Sequence, residues 1–206
     1  RFLAAARSPC AHRVVEDLVR CLPSDAAALV AEELYGAGRR LASNIHGHAV
    51  LCRLLEFSAA DPRTARLVDE ILEEDVGVLC CHKYGYIVAI CVLSNGLERQ
   101  RGRIVHALAL HVQRFARQRF ASQVLEHALL HEEIDGYEGL VAELLRHPSG
   151  LANHSFGSGV VRALLAVPDM VPTVCARLTQ AEARLKKDRL GIKMLRVAGV
   201  HRPSGR

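Results

Sequence analysis

The segment NIHGHAVLCRLL, at residues 44–55, sets the architecture of this protein because five other segments of the chain repeat its pattern. These segments are SPCAHRVVEDLV (8–19), HKYGYIVAICVL (82–93), QRFASQVLEHAL (118–129), HSFGSGVVRALL (154–165) and DRLGIKMLRVAG (188–199). All six have a small residue at the fourth place, namely Ala11, Gly47, Gly85, Ala121, Gly157 and Gly191. The small residues recur about every 36 residues, an interval typical of proteins built by stacking similar units.

Apolar residues follow each small residue at helical spacing. In the first five segments they occupy the third, fourth, seventh and eighth places after it, as do Val14, Val15, Leu18 and Val19 in the first segment. This spacing places them on one face of an amphipathic helix, which we expect to be buried. The first, second and fifth places vary and lie on another face. The pattern predicts six helices, here called the presented helices, near residues 11–20, 47–56, 85–94, 121–130, 157–166 and 191–198.

A second set of amphipathic stretches lies between the presented helices. Pro, Gly, Asp and Asn mark the turns that separate the two sets, so the predicted unit is helix, turn, helix. The second helices are predicted at residues 25–34, 63–72, 101–112, 137–145 and 172–185. One such pair cannot bury its apolar stripe alone, so neighbouring pairs must stack. The sequence therefore predicts an all-α solenoid, a single repeat array over residues 1–206 that can be a piece of a longer protein.

The composition agrees with a helical protein. Of the 206 residues, 4% are aromatic and none is Trp, which disfavours folds rich in strands. No apolar run reaches the roughly 18 residues that a membrane-spanning helix needs, so we expect no membrane role. The formal charge of +5 is compatible with a polyanionic partner. Seven scattered cysteines without a CxxC pair predict free, buried thiols in a reducing compartment, and hence an intracellular protein of the cytoplasm, nucleus or nucleolus.

The presented helices resemble those of a known repeat family. The segments RFASQVLEHAL, HKYGYIVAICVL and NHSFGSGVVRALL are similar to the RNA-contacting helices of Pumilio (PUF) repeats, which have an aromatic residue, Gly or Ala, a variable pair, two aliphatic residues and a further variable residue. The resemblance implies a right-handed crescent of stacked helical repeats that reads one RNA base per repeat with two or three side chains. The family usually has eight repeats. Six are recognisable here, and the last, in which Gly199 takes an apolar place, is the weakest.

The resemblance also implies which residues contact RNA. The variable places of the presented helices correspond to the base-contacting positions of the family. The implied base contacts are His12, Arg13, Glu16, His48, Cys52, Tyr86, Ser122, Gln123, Glu126, Ser158, Arg162, Lys193 and Arg196. Basic residues just before or at the presented helices are candidates for contacts with the RNA backbone, and these are Arg7, Lys83, Arg114, Arg117 and Arg119. Lys83 and Arg117 are explained equally well as solvated surface charges.

Two repeats carry base codes that the family makes intelligible. Ser122 with Glu126 implies guanine, because a carboxylate can accept from the two donors on the Watson–Crick edge of that base. Ser158 with Arg162 implies cytosine, because Arg only donates and cytosine offers acceptors. PUF domains bind RNA antiparallel, so the resemblance implies a site with 5′-CG-3′ at its centre.

Two functional hypotheses from different classes remain open. One is a module that binds single-stranded RNA in post-transcriptional regulation or RNA processing. The other is a scaffold that binds protein within a larger ribonucleoprotein, such as one of ribosome biogenesis, and the apolar triplet Tyr86, Ile87 and Ile90 favours it. No motif supports an enzyme or a cofactor. His127 and His131 have a metal-binding spacing but lack a carboxylate of the metalloprotease type, so we expect no metal site.

Overall fold

The computed structural model describes residues 1–200, and in these residues it contains helices and turns but no strand. The all-α prediction is therefore confirmed. Two compact units can be distinguished. The first comprises residues 1–107 with 133–135, and the second comprises residues 108–132 and the described residues from 136 onward. That the six repeats form one continuous array remains a prediction.

The first unit contains three presented helices and the elements that support them. Its helices are α1 (Phe2–Arg7), α2 (Ala11–Cys21), α3 (Ser24–Leu34), α4 (Gly38–Ala42), α5 (Gly47–Ser58), α6 (Pro62–Glu73), α7 (Val76–Cys81) and α8 (Gly85–Asn95). Helix α9 (Glu98–Leu110) has most of its length in this unit. The presented helices are α2, α5 and α8, and α3, α6 and α9 are the second helices that the sequence predicts.

The second unit has the same kinds of element. Its helices are α10 (Val112–Phe115), α11 (Ala121–Ala128), α12 (Tyr137–Arg146), α13 (Pro148–Leu151), α14 (Gly157–Ala166), α15 (Val171–Gln180), α16 (Glu182–Leu185) and α17 (Arg189–Val197). The presented helices are α11, α14 and α17. Helix α11 ends two residues before the predicted end at residue 130. Helix α17 begins two residues before the predicted start at residue 191. The stretch predicted as one helix over 172–185 is interrupted after Gln180 and forms α15 and α16.

A short helix precedes each presented helix, which the predicted unit of two helices did not include. These helices have four to six residues and are α1, α4, α7, α10, α13 and α16. A helix this short spans little more than one turn, so it leaves no repeated apolar period in the sequence. The repeat is therefore a short helix, a presented helix and a second helix.

The predicted apolar stripe is buried in the second to fourth presented helices. In α5, for example, Leu54 and Leu55 are buried. The first presented helix differs, because Val14 and Leu18 are 69% and 38% exposed, so the prediction that they are buried was wrong. In these 206 residues only the six-residue α1 lies before α2, whereas every later presented helix follows a complete repeat. In the fifth presented helix, α14, the stripe residue Leu165 is half-buried rather than buried as predicted.

The invariably small residue is explained by a close approach of backbones. A Cβ atom added to Gly85 at the start of α8 would lie 2.6 Å from the carbonyl oxygen of Leu79 in α7. At Gly157 the corresponding distance, to the carbonyl oxygen of Leu151, is 2.9 Å. The start of the presented helix thus packs directly on the backbone of the short helix, which fixes the direction in which the presented helix leaves.

The seven cysteines are free thiols. The prediction that they are buried is correct for Cys52 and Cys80 and wrong for Cys10 and Cys21, which are exposed. Cys10 lies in the turn before α2, and Cys21 is the last residue of that helix. Among the described residues, no single helix is long and apolar enough to cross a membrane, although Gly157–Ala166 and Pro168–Gln180 together, across a bend of 108°, satisfy the criterion by length and composition.

Candidate nucleic-acid interface

Each presented helix begins at a side chain that caps its backbone. The residue three places before the small residue accepts hydrogen bonds from the backbone N–H groups that open the helix. In α5, Asn44 Oδ1 accepts from the N–H of His46 at 3.0 Å and of Gly47 at 2.9 Å. In α8, His82 Nδ1 accepts from Tyr84 and Gly85 at 3.2 Å. These N–H groups have no partner inside the helix, so the caps stabilise the start of the interface.

The same capping contact recurs in all six repeats. The capping residues are Ser8, Asn44, His82, Gln118, His154 and Asp188. Sequence reasoning missed this role, although the signal was present, since these residues open the six repeated segments. Their chemical types differ, and only the position of an acceptor atom is shared.

Replacing His82 by Ala is expected to lower the free energy of unfolding by about 1 kcal/mol, because two backbone N–H groups lose their acceptor. His82→Asn is the matched control, since Asn44 performs this function in α5 and Asn should retain most of the stability. Urea denaturation followed by circular dichroism measures both variants. Equal midpoints for the two variants would show that the cap contributes nothing.

The predicted base-contacting residues of α2 are partly engaged with each other. His12 Nδ1–H donates to the carbonyl of Ser8 at 2.8 Å, and His12 Nε2 lies 3.8 Å from a carboxylate oxygen of Glu16. Glu16 also faces Arg53 Nε at 3.6 Å. Arg13 is exposed. Helix α2 therefore presents the exposed cation of Arg13 beside the carboxylate of Glu16, which faces His12 and Arg53.

Stacked rings connect α5 with the turn before α8. The imidazole of His48 stacks on the phenol of Tyr84, with centroids 5.2 Å apart and planes inclined by 22°. The ammonium group of Lys83 lies 5.2 Å from the centroid of Tyr84, within the range of a cation–π contact. His48 Nδ1–H donates to the carbonyl of Asn44 at 3.0 Å, so Nε2 of the neutral ring remains as an acceptor. His48 is thereby held in one orientation and one tautomer.

A second ring pair connects α2 with the turn before α5. His12 and His46 have centroids 4.4 Å apart. His46 and Tyr84 occupy equivalent places, one residue before the small residue, and sequence reasoning did not assign either of them to the site. Their recurrent place in the pattern is the signal that could have found them. The two ring pairs provide flat surfaces that Ala49 and Ile87, at the family's stacking position, do not supply.

Cys52 of α5 is less available than the sequence predicts. Only 8% of its surface is exposed, and a hydrogen bond to Cys91 together with burial raises the pKa of the Cys52 thiol well above its ordinary value. A thiol in this environment stays protonated and is a weak hydrogen-bonding group. In α8, Tyr86, Ile87 and Ile90 are half-buried, which leaves this part of the surface largely apolar.

The second unit places Glu126 and Arg162 at the surface but buries Ser122. Ser122 is 2% exposed and its hydroxyl donates to the carbonyl of Arg119 at 3.3 Å. Gln123 is exposed and donates to the same carbonyl at 3.2 Å. Glu126 is half-buried, and this burial raises the pKa of its carboxyl group, while the nearby charge of Arg162 lowers it. The carboxylate is thus the main acceptor that α11 offers.

The remaining predicted base contacts of this unit are accessible. Arg162 is exposed, as are Lys193 and Arg196 on α17, and Ser158 on α14 is half-buried. The Ser158 hydroxyl donates to the carbonyl of Ser155 at 3.2 Å. These side chains can donate hydrogen bonds, and three of them carry a permanent positive charge.

The candidate residues for contacts with the RNA backbone differ in whether their side chains are already engaged within the protein. Arg7, Lys83, Arg114 and Arg119 are exposed. Arg117 is also exposed, but its guanidinium group donates to the carbonyls of Gln113 at 2.8 Å and Gly150 at 3.1 Å. Arg117 therefore holds α13 in place, and four cations remain for phosphate groups.

His127 lies in the last turn of α11 and His131 follows three residues after the helix ends, with their Nε2 atoms 3.4 Å apart. Burial lowers the pKa of His127, and the neighbouring His131 lowers it further. Within residues 1–200, no group of three or more His, Cys, Asp or Glu side chains is arranged to hold a metal ion.

Solved structures of PUF domains share the fold of this chain. They include the Puf3 RNA-binding domain bound to a Cox17 RNA 3′ UTR recognition sequence (TM-score 0.83, 18% identity, 96% of this chain and 56% of that one). The Puf4 domain bound to HO endonuclease RNA has a TM-score of 0.81, at 19% identity over 96% of this chain and 64% of that one. PUF-8 in complex with PBE-RNA has a TM-score of 0.87, at 15% identity over 99% of this chain and 62% of that one.

The chain spans less than two thirds of the length of these three domains. No protein-family model matches it, and no curated protein sequence matches it significantly. The likeness shows the helical-repeat fold across nearly the whole chain, as the repeated segments predicted.

Proposed function

We propose that this protein binds single-stranded RNA through its presented helices and acts in post-transcriptional regulation or RNA processing. One observation supports this most directly. The chain has the fold of domains that were solved with RNA, and every presented helix has an accessible polar or aromatic side chain at its variable places. These side chains are Arg13, His48, Tyr86, Gln123, Arg162 and Lys193.

The second unit supports a preference for 5′-CG-3′. Glu126 of α11 offers a carboxylate to the two donors of guanine, and Arg162 of α14 offers donors to the acceptors of cytosine. By the resemblance to PUF domains, α14 reads the base on the 5′ side of the base that α11 reads. Because Ser122 is buried, Glu126 supplies most of the discrimination at the guanine.

Replacing Glu126 by Gln is expected to reduce the preference for guanine at this position about tenfold, since an amide presents only one acceptor where guanine offers two donors. Affinity for RNA with another base there should not fall, since the neutral amide does not repel a base that presents acceptors. The preference of the wild type should also weaken as the pH falls, because protonation removes the carboxylate, and burial raises the pKa of Glu126. Fluorescence anisotropy with four RNAs that differ at this base measures both effects.

Glu138→Gln is the matched control, because Glu138 is an exposed carboxylate of the second helix α12. This variant should keep the wild-type preference. A Glu126→Gln protein that still prefers guanine as strongly as the wild type would refute the assignment of this carboxylate.

A selection from randomised RNA tests the proposed function as a whole. RNA binding predicts an enriched motif that contains CG. The second candidate function is a scaffold that binds protein, and the largely apolar surface at Tyr86, Ile87 and Ile90 of α8 favours it. A pool without enrichment, from a protein that retains no RNA at low salt, would support the scaffold instead.

A further inference from the structure

The carboxylate of Glu126 occupies the space above Gly159 in the neighbouring presented helix. A Cβ atom added to Gly159 would lie 2.8 Å from Cδ and 3.1 Å from Oε2 of Glu126. Distances this short exclude a side chain at position 159 unless the carboxylate moves. Glu126 therefore extends from α11 onto α14, into the place where other repeats of this chain have Arg13, Ala49, Ile87 or Gln123.

This position brings Glu126 under the influence of Arg162. Gly159 and Arg162 are three residues apart in α14 and so lie on neighbouring parts of one helix face. The carboxylate of Glu126 lies against Gly159, one turn from Arg162, and the positive charge of Arg162 opposes the effect of burial on the pKa of Glu126. Because Glu126 is half-buried, their interaction is screened less than a fully solvated pair would be.

We propose that Glu126 and Arg162 read two adjacent bases as one ionic unit, and that Gly159 determines this specificity by leaving room for the carboxylate. The inference rests on the proposed RNA binding and extends it. Repeats that read independently would give additive preferences. Here the preference at one base depends on the identity of the other.

The dependence follows from how the charges are used. When guanine is bound, its two donors bind the carboxylate of Glu126, and the guanidinium of Arg162 is free to donate to cytosine. A base that presents acceptors to Glu126 repels the carboxylate. The negative charge of the carboxylate then continues to attract the guanidinium of Arg162. Arg162 should therefore prefer cytosine several-fold less strongly when the neighbouring guanine has been replaced.

The test uses sixteen RNAs that carry every combination of the two bases, with the wild type, Gly159→Ala and Gly139→Ala. Gly139 of α12 has open space around it, so its replacement by Ala is the matched control. We expect the wild type and Gly139→Ala to show non-additive preferences. In Gly159→Ala the carboxylate is displaced, so the preference for guanine should fall several-fold and most of the non-additivity should disappear. The fold should persist, since the atoms that must move are the end of a flexible side chain and Ala favours helices.

A measurement on the free protein separates this inference from the proposed function. The carboxyl carbon of Glu126 can be titrated by NMR in the wild type, Arg162→Ala and Gly159→Ala. Loss of Arg162 should raise the pKa of Glu126, and Gly159→Ala should shift it as the carboxylate moves. RNA binding with additive preferences, or a Glu126 titration that neither variant shifts, would overturn the inference that the two residues act together. The proposed RNA binding would stand. If none of the sixteen RNAs binds, the proposed function and the inference both fail, even where the titration shows that the charge of Arg162 influences Glu126.

Discussion

Binding of RNA is expected to weaken about 50-fold when the monovalent salt concentration rises from about 50 to about 200 mM. Contacts between basic side chains and phosphates release counterions, with a slope of roughly −0.7 per contact for single strands. Four exposed cations, Arg7, Lys83, Arg114 and Arg119, are available for such contacts. Arg117 is left out because it donates to two backbone carbonyls. Fluorescence anisotropy at several salt concentrations gives the slope directly.

Single variants assign the slope to individual residues. Lys83→Gln should weaken binding to all RNA sequences alike and reduce the slope by roughly 0.7. Arg177→Gln makes the same change of charge on the exposed surface of α15 and should leave the slope unchanged. A wild-type affinity that is insensitive to salt would show that the basic residues do not contact phosphate groups.

Replacing Gly85 by Ala is expected to lower the free energy of unfolding by about 1–3 kcal/mol, the usual cost of overpacking. The added methyl group would lie 2.6 Å from the carbonyl oxygen and 2.9 Å from Cδ1 of Leu79. The oxygen belongs to the backbone of α7 and cannot rotate away, so one of the two helices must shift. Because α8 then leaves α7 at a different angle, RNA binding should weaken as well. Urea denaturation and anisotropy measure the two effects.

Gly139→Ala provides the comparison, since nothing lies within 4 Å of a Cβ atom at that position. This variant should be more stable than the wild type by up to about 1 kcal/mol, because Ala is the better helix former. If Gly85→Ala is as stable as Gly139→Ala, the first unit accommodates an alanine as the fourth repeat does at Ala121, and close approach is not the constraint.

The repeat and its presented helices could be predicted because their signal is long. Each helix carries four apolar places at helical spacing, and the small residue marks its start, so the positions of α5, α8 and α14 follow from periodicity. The short helices could not be predicted in this way, since one turn contains no second period. The exposure of Val14 and Leu18 was also missed, because periodicity shows which face is apolar but not what covers it.

The candidate site could be predicted in outline only. Spacing and resemblance identify the variable places, and the structure brings Arg13, His48 and Arg162 to the surface there. Neither shows that Ser122 is buried, because burial depends on the packing of side chains from neighbouring repeats. The contact of Glu126 with Gly159 joins residues 33 positions apart, and a pattern read within one repeat contains no information about it.

The caps of the presented helices show that different residues can specify the same backbone geometry. Hydroxyl, amide, imidazole and carboxylate groups all supply the acceptor at the same point. A substitution among these groups retains the hydrogen bonds of the cap, but it changes the residue that a sequence comparison would match. Interchangeable chemistry at these recurrent positions lets repeats with different residues begin their presented helices in the same way. In this repeat, the start of the helix is specified by where an acceptor atom lies rather than by which residue supplies it.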